Sequence, residues 1–467
     1  MKKIGILCLL LCLLLSMAVP AYGAQDTSVT AGCHSVDAAV PLSDEGRLAE
    51  TANAVIIYER GSDTMIYSWN PDEKIYPSSM VKLMTALVAL ERGDLAEEVK
   101  VTKRAVNSVA PGSVSAGLVA GEELTLEQLL YCLMVASAND AAAVIAEHIA
   151  GNQETFVAMM NDKAQALGCT GTHFSNVHGL HDEETYTTAR DVCRITDAAL
   201  ENEVFRAMFT AETYTVPKTN KSEARELWTT NYMMSKHSRK DYFDSRVTGG
   251  KTGSTDQAGR CLVTTAESGG MELLTVVMGA KAEYTENGLA LKTFGSFEET
   301  RVLLDYAFDA FTFRQIFFAG QTVSQMPVKD GANDVVTCPA TSASTVLPKD
   351  LELSELSWKY VDSGTITAPV EKGQVLSAVQ VWYGSKCLAQ TDLVAMHGVA
   401  VYQAPEKVTP PDAVDSSALK TILLILLAAA LVLGALVAVV YVVNRLIRNA
   451  ARKKRMQRRA NNRQRSR

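Results

Sequence analysis

Ile422 to Val443 is a run of 22 residues without a charge. At 1.5 Å per residue such a run spans roughly 33 Å as a helix, the thickness of a bilayer core. Eleven basic residues and no acid follow it, from Arg445 to Arg467. Basic flanks stay on the cytoplasmic side, so the pattern predicts a transmembrane helix over 421–443, a basic cytoplasmic tail over 444–467 and everything earlier outside the cell. Residues 1–23 agree with this orientation. Lys2 and Lys3 precede an apolar stretch from Ile4 to Val19, and Ala21-Tyr22-Gly23 offers the small residues of a cleavage site. This reads as a signal peptide, cut after Gly23.

The formal charge of −7 over 467 residues therefore hides a split. Setting aside Lys2, Lys3 and the eleven tail cations leaves 32 basic residues against 52 acidic ones outside. That balance argues against a nucleic-acid partner. Seven cysteines remain beyond the signal: Cys33, Cys132, Cys169, Cys193, Cys261, Cys338 and Cys387. None is spaced as a metal pair, Cys132 reads as a packed residue, and Cys338 with Cys387 is the expected disulfide. His178 and His181 lie close together but have no third ligand nearby in sequence, so they read as a structural loop and no metal is expected.

The external part divides further. Residues 24–50 lack a period and read as a leader. Ala54–Tyr58 and Met65–Trp69 are short apolar runs around Arg60-Gly61-Ser62-Asp63, a hairpin signature. Met80 to Leu90 is almost wholly apolar or small, predicting a buried helix that ends near Gly93. A second helical stretch, Thr125 to Ile149, has Thr125 as its cap and an interruption where Ser137 and Asn139 fall. Helices follow over Phe156–Leu167, Thr188–Leu200 and Phe297–Phe311, with strands at Arg260–Thr265 and Leu273–Met278. A hairpin followed by a buried helix and a closing meander predicts an α+β domain over 51–315. Short strands at Val335–Thr337, Ile366–Ala368, Val375–Trp382 and Asp392–Ala395 predict a small all-β domain over 316–403. Residues 404–420, with prolines at 405, 410 and 411, read as a linker.

Within Tyr76–Thr85, Ser79 and Lys82 stand three residues apart, on one helix face. A lysine in so apolar a run is costly to bury unless it has a partner or a task. Desolvation lowers its pKa, and a neutral amine takes a proton from a neighbouring hydroxyl. The same S-x-x-K spacing recurs at Ser417/Lys420, and S-x-N occurs at Ser68–Asn70 as well as Ser137–Asn139. Neither motif is decisive alone. The order Ser79-x-x-Lys82, Ser137-Ala138-Asn139, Lys251-Thr252-Gly253 resembles the motif set of penicillin-binding proteins and serine β-lactamases.

Met134–Ala142, Asn176–Leu180, Tyr186–Asp191 and Thr367–Gln374 narrow that match. Together with the three motifs, they resemble the low-molecular-mass D-alanyl-D-alanine carboxypeptidases, from about Ala54 to about Val401. The resemblance implies an antiparallel sheet with helices and a helical subdomain. It implies a cofactor-free serine hydrolase acting on peptidoglycan stem peptides ending in D-Ala-D-Ala and acylated by penicillin. Ser79 would be the nucleophile, Lys82 its base and Ser137 a proton relay. Asn139 would hold the substrate amide and orient Lys82. Lys251 would add positive potential, Thr252 would bind the terminal carboxylate, and Gly253 would let substrate lie close. The N–H groups of Ser79 and Ser254 would form the oxyanion hole. A β-lactamase is the nearest alternative, but Glu183 and Glu184 are followed four residues on by Thr187 and Thr188 where that class needs an asparagine. A membrane-bound β-lactam sensor is a second alternative, and the short tail carries no signalling segment.

Overall fold

A computed structural model describes residues 41–237, 240–284, 291–361, 364–404 and 416–464. The signal peptide, Cys33, the start of the leader and the proline-rich core of the linker lie outside the described residues. Residues up to Ala400 form one compact unit and those from Val401 a second.

A five-stranded antiparallel sheet holds the first unit together. Its strands are β1 (Ala54–Glu59), β2 (Thr64–Trp69), β3 (Val247–Thr255), β4 (Gly259–Ser268) and β5 (Met271–Ala280), in the spatial order β2-β1-β5-β4-β3. The hairpin and the meander are those the sequence predicts. All six residues of β1 are buried. Successive strand side chains point to opposite faces, so a fully buried strand must be covered on both. The packing divides accordingly: Ala54, Ile56 and Tyr58 join one core, Val55 and Ile57 the other.

The first core lies under α1 (Val81–Arg92), α2 (Leu126–Met134), α3 (Asn139–Ala150), α4 (Gln153–Ala166) and α5 (Ala189–Leu200). Thr125 caps α2 in a capping box with Gln128, and Thr188 caps α5 through the Asp191 N–H. Helix α1 buries nine consecutive residues, Val81 to Ala89. The second core lies under α6 (Gly295–Ala310) and continues into the β domain.

That domain contains β6 (Phe311–Phe317), β7 (Ser324–Met326), β8 (Val335–Pro339), β9 (Ala343–Pro348), β10 (Leu356–Val361), β11 (Val375–Tyr383) and β12 (Lys386–Ala395). Strands β6 and β9 pair, and the other five run in the order β7-β8-β12-β11-β10. The expected strand at Ile366–Ala368 is absent: Thr367 makes one isolated bridge, to Lys329. The expected Cys338–Cys387 bond is absent too. Cys338 is a free, buried thiol, whereas Cys387 is disulfide-bonded.

The leader reading also fails for residues 41–50. The Leu42 and Ser43 N–H groups donate to the Met65 and Ile66 carbonyls at 2.8 Å, tying this segment to the edge strand β2. Glu299 accepts from the N–H groups of Glu50 and Thr51, and Leu42 and Ala49 are buried.

In the second unit, Ser416–Gln464 is a single helix, α7. Ile422 to Val443 exposes its apolar side chains, Leu423 at 69 % and Leu433 at 65 %. An unbroken apolar surface of that size is intolerable in water. Among the described residues this is the one helix long and apolar enough to cross a membrane.

Candidate active site

The turn that carries Ser79 is local and strained. Pro77 enters with φ −75°, Ser78 takes φ +50°, and Ser78–Met80 makes one 3-10 turn before α1 begins. Ser79 thus sits just ahead of the α-helix, half-buried, while Lys82, the second residue of α1, is fully buried. A non-glycine residue at positive φ costs about 1–2 kcal/mol, so the surroundings must hold it. They do so by contact. Gly179 lies so close that any Cβ on it would collide with the Ser78 carbonyl, and Gly179 itself has φ +79°. From the other side, a Cβ added to Gly253 would crowd the Pro77 carbonyl at 3.2 Å and Ser78 Cβ at 3.3 Å.

Lys82 Nζ is 3.0 Å from Ser79 Oγ and donates to the His178 carbonyl at 2.5 Å. Among the described residues its hydrogen-bond partners are these two, and Asn139 is not one of them. Asn139 is buried at the first position of α3 and its N–H donates to the Val114 carbonyl at 2.9 Å. Ser137 lies in the gap between α2 and α3 with φ +60°. Lys251, on β3, is fully buried and donates to Ser137 Oγ at 2.8 Å. The Thr252 and Thr230 hydroxyls share a 2.5 Å hydrogen bond.

Ser79, Ser137, Thr252, Gly253 and Ser254 line one cleft of about 210 Å³. Val114, Thr230, Tyr232, Arg260 and Phe297 are among its other walls, and no sequence motif pointed to them. A larger apolar hollow of about 750 Å³ in the β domain, beside Phe317 and Trp358, holds none of the motif residues.

The electrostatics follow from burial. Desolvation, then the charge of Lys251, pushes the Lys82 pKa well below its ordinary value, against a smaller pull from Asp140. Desolvation brings Lys251 down to about 7. His178 falls to about 4, through desolvation and then the charge of Lys82. Burial thus disfavours the charge on an amine that lies in hydrogen-bond reach of a hydroxyl at the head of a helix, the direction that activation of a serine requires.

The comparisons with known proteins decide the family. Residues 42–282 match the family model described as D-alanyl-D-alanine carboxypeptidase. The chain belongs to the D-alanyl-D-alanine carboxypeptidase family. Residues 311–400 of this carboxypeptidase match a second model, "Penicillin-binding protein 5, C-terminal domain". D-alanyl-D-alanine carboxypeptidase DacF of Bacillus subtilis is 29 % identical over 85 % of this chain and 94 % of its own length. DacC of Escherichia coli is 30 % identical, over 74 % and 84 %. Among solved structures, penicillin-binding protein 5 from Haemophilus influenzae aligns with TM-score 0.60 and 29 % identity, covering 75 % of this chain and 98 % of that one. Penicillin-binding protein 6B from E. coli aligns with TM-score 0.57 and 25 % identity, covering 76 % and 98 %.

Proposed function

We propose that this carboxypeptidase removes the terminal D-alanine from peptidoglycan stem peptides through an acyl-enzyme on Ser79. The observation that carries the assignment is the 3.0 Å approach of Ser79 Oγ to a fully buried Lys82 Nζ. With the amine neutral, the same line carries the serine proton to Nζ as Oγ attacks the penultimate carbonyl. The N–H groups of Ser79 and Ser254 receive the developing oxyanion. The proton then reaches the leaving amine through Ser137, whose hydroxyl is fixed by Lys251. The Lys251 cation and the Thr252 hydroxyl hold the terminal carboxylate, and the Asn139 side chain holds the substrate amide. Gly253, by lacking a side chain, lets the turn that carries Ser79 lie close against β3. Water completes the cycle by hydrolysing the ester. A β-lactam, as a stem-peptide mimic, acylates the same serine.

Helix α7 anchors the enzyme, with the catalytic unit facing the cell wall and the basic tail in the cytoplasm. Ser79→Ala should abolish both covalent labelling by penicillin and release of D-alanine from a D-Ala-D-Ala peptide. Mass spectrometry of the labelled peptide and a D-alanine assay measure these. Persistence of either activity refutes the nucleophile.

A further inference from the structure

The catalytic cleft does not end at Ser254. A second, more open depression of about 390 Å³ adjoins it at the β3–β4 hairpin and the neighbouring end of β5. Arg260 lines both. The β3–β4 register sets Ser254 directly opposite Arg260. Directly opposed residues carry their side chains on the same face of a sheet. The half-buried Arg260 therefore shares the face of the residue proposed to supply the oxyanion N–H.

The direction of a bound peptide follows from the site proposed above, on which this inference rests. The terminal carboxylate lies at Thr252 and the scissile carbonyl at Ser254. An extended chain advances about 3.3 Å per residue. Its preceding residues must then continue past Ser254 toward Thr255 and the hairpin. The stem residue two places before the last D-alanine reaches the second depression. The charged groups lining it are Arg260, Lys281 and Asp256, with Asn53 and Gln257 as neutral polar partners. Asp256 and Lys281 are exposed.

We infer that this depression is a specificity subsite for a third stem residue whose side chain ends in both a carboxylate and an ammonium. The carboxylate meets Arg260 and Lys281, and the ammonium meets Asp256. Arginine matches a carboxylate fork in two parallel hydrogen bonds, which a lone ammonium side chain cannot use. A stem peptide with lysine at that position offers only the ammonium.

The test compares two acetylated tripeptide donors, one with L-lysine and one with meso-2,6-diaminopimelate before D-Ala-D-Ala, on the full-length protein in detergent. The ratio of their kcat/KM values is taken within each variant, so losses in folded fraction cancel. The native protein should favour the dicarboxylic donor by about tenfold, the worth of a charge-assisted contact. Arg260→Gln should bring the ratio close to one, and Arg260→Lys should restore part of it. Equal rates on both donors in the native protein overturn the subsite alone, as does an unchanged ratio in Arg260→Gln. Failure to release D-alanine from either donor overturns the carboxypeptidase reading and the subsite with it.

Discussion

Two lysines share one site, and their different surroundings fit the different duties proposed for them. Burial and then its neighbour push the Lys82 pKa well down, the direction that the proposed base requires. Lys251 is held near 7 by burial alone, and the proposed role for it requires the charge. As pH rises through about 7 the free enzyme loses that cation, and with it attraction for the terminal carboxylate. The profile of kcat/KM, which reports the free enzyme, should therefore fall on the alkaline side from near pH 7. The limb in kcat should lie higher, because a bound carboxylate favours the protonated amine. On the acid side, protonation of Lys82 removes the base, so the whole profile is a bell. A pH–rate series on a D-Ala-D-Ala peptide measures both limbs, and an alkaline limb in kcat/KM above pH 10 would sink the role given to Lys251.

The gap between α2 and α3 is the element on which the site turns. Its interruption was legible, because serine and asparagine amid small apolar residues compete with helical hydrogen bonding. What fixes the gap was not. Asp140, the second residue of α3, accepts from Ser115 Oγ at 2.6 Å, the Ala116 N–H at 2.9 Å and the Leu118 N–H at 3.0 Å. It thereby pins the loop whose Val114 walls the cleft. Arg225, from a distant hairpin, donates to the Ala116 and Gly117 carbonyls and pairs with buried Glu122. These partners lie more than 20 residues apart in the chain, and no local pattern announces them. Asp140→Asn keeps the size but leaves one acceptor oxygen for three outside donors. It should cost about 1–3 kcal/mol and slow penicillin acylation, checked by thermal melting and by the labelling rate of Ser79. An unchanged labelling rate would show that the loop does not depend on this carboxylate. The strands that sequence reading missed have similar causes. Strand β10 is an edge exposed at every residue but Leu356, and β9 mixes serine and threonine with a short apolar run.

Over the whole molecule, the three motif segments could be ordered from sequence because each carries a residue type that its surroundings should not tolerate without reason. The backbone contacts that bring them together, such as Gly179 on Ser78, were not legible. Removal of residues 405–467 should transfer the protein from the membrane fraction to the soluble one. Penicillin labelling of Ser79 should survive, since every wall of the cleft precedes that cut. Fractionation followed by labelling measures both, and a truncated protein still held in the membrane would contradict anchoring by α7. The outer face of the catalytic sheet leads to a different conclusion. Val55, Ile57 and Leu262 share one core with Phe297 and Leu304 of α6 and with Phe317, Val346 and Val379 of the β domain. Chain cut after Ala310 would leave that shared core open to water. The β domain is thus no detachable bead: enzyme and appendage should melt as one cooperative body, and damage to either would be felt by both.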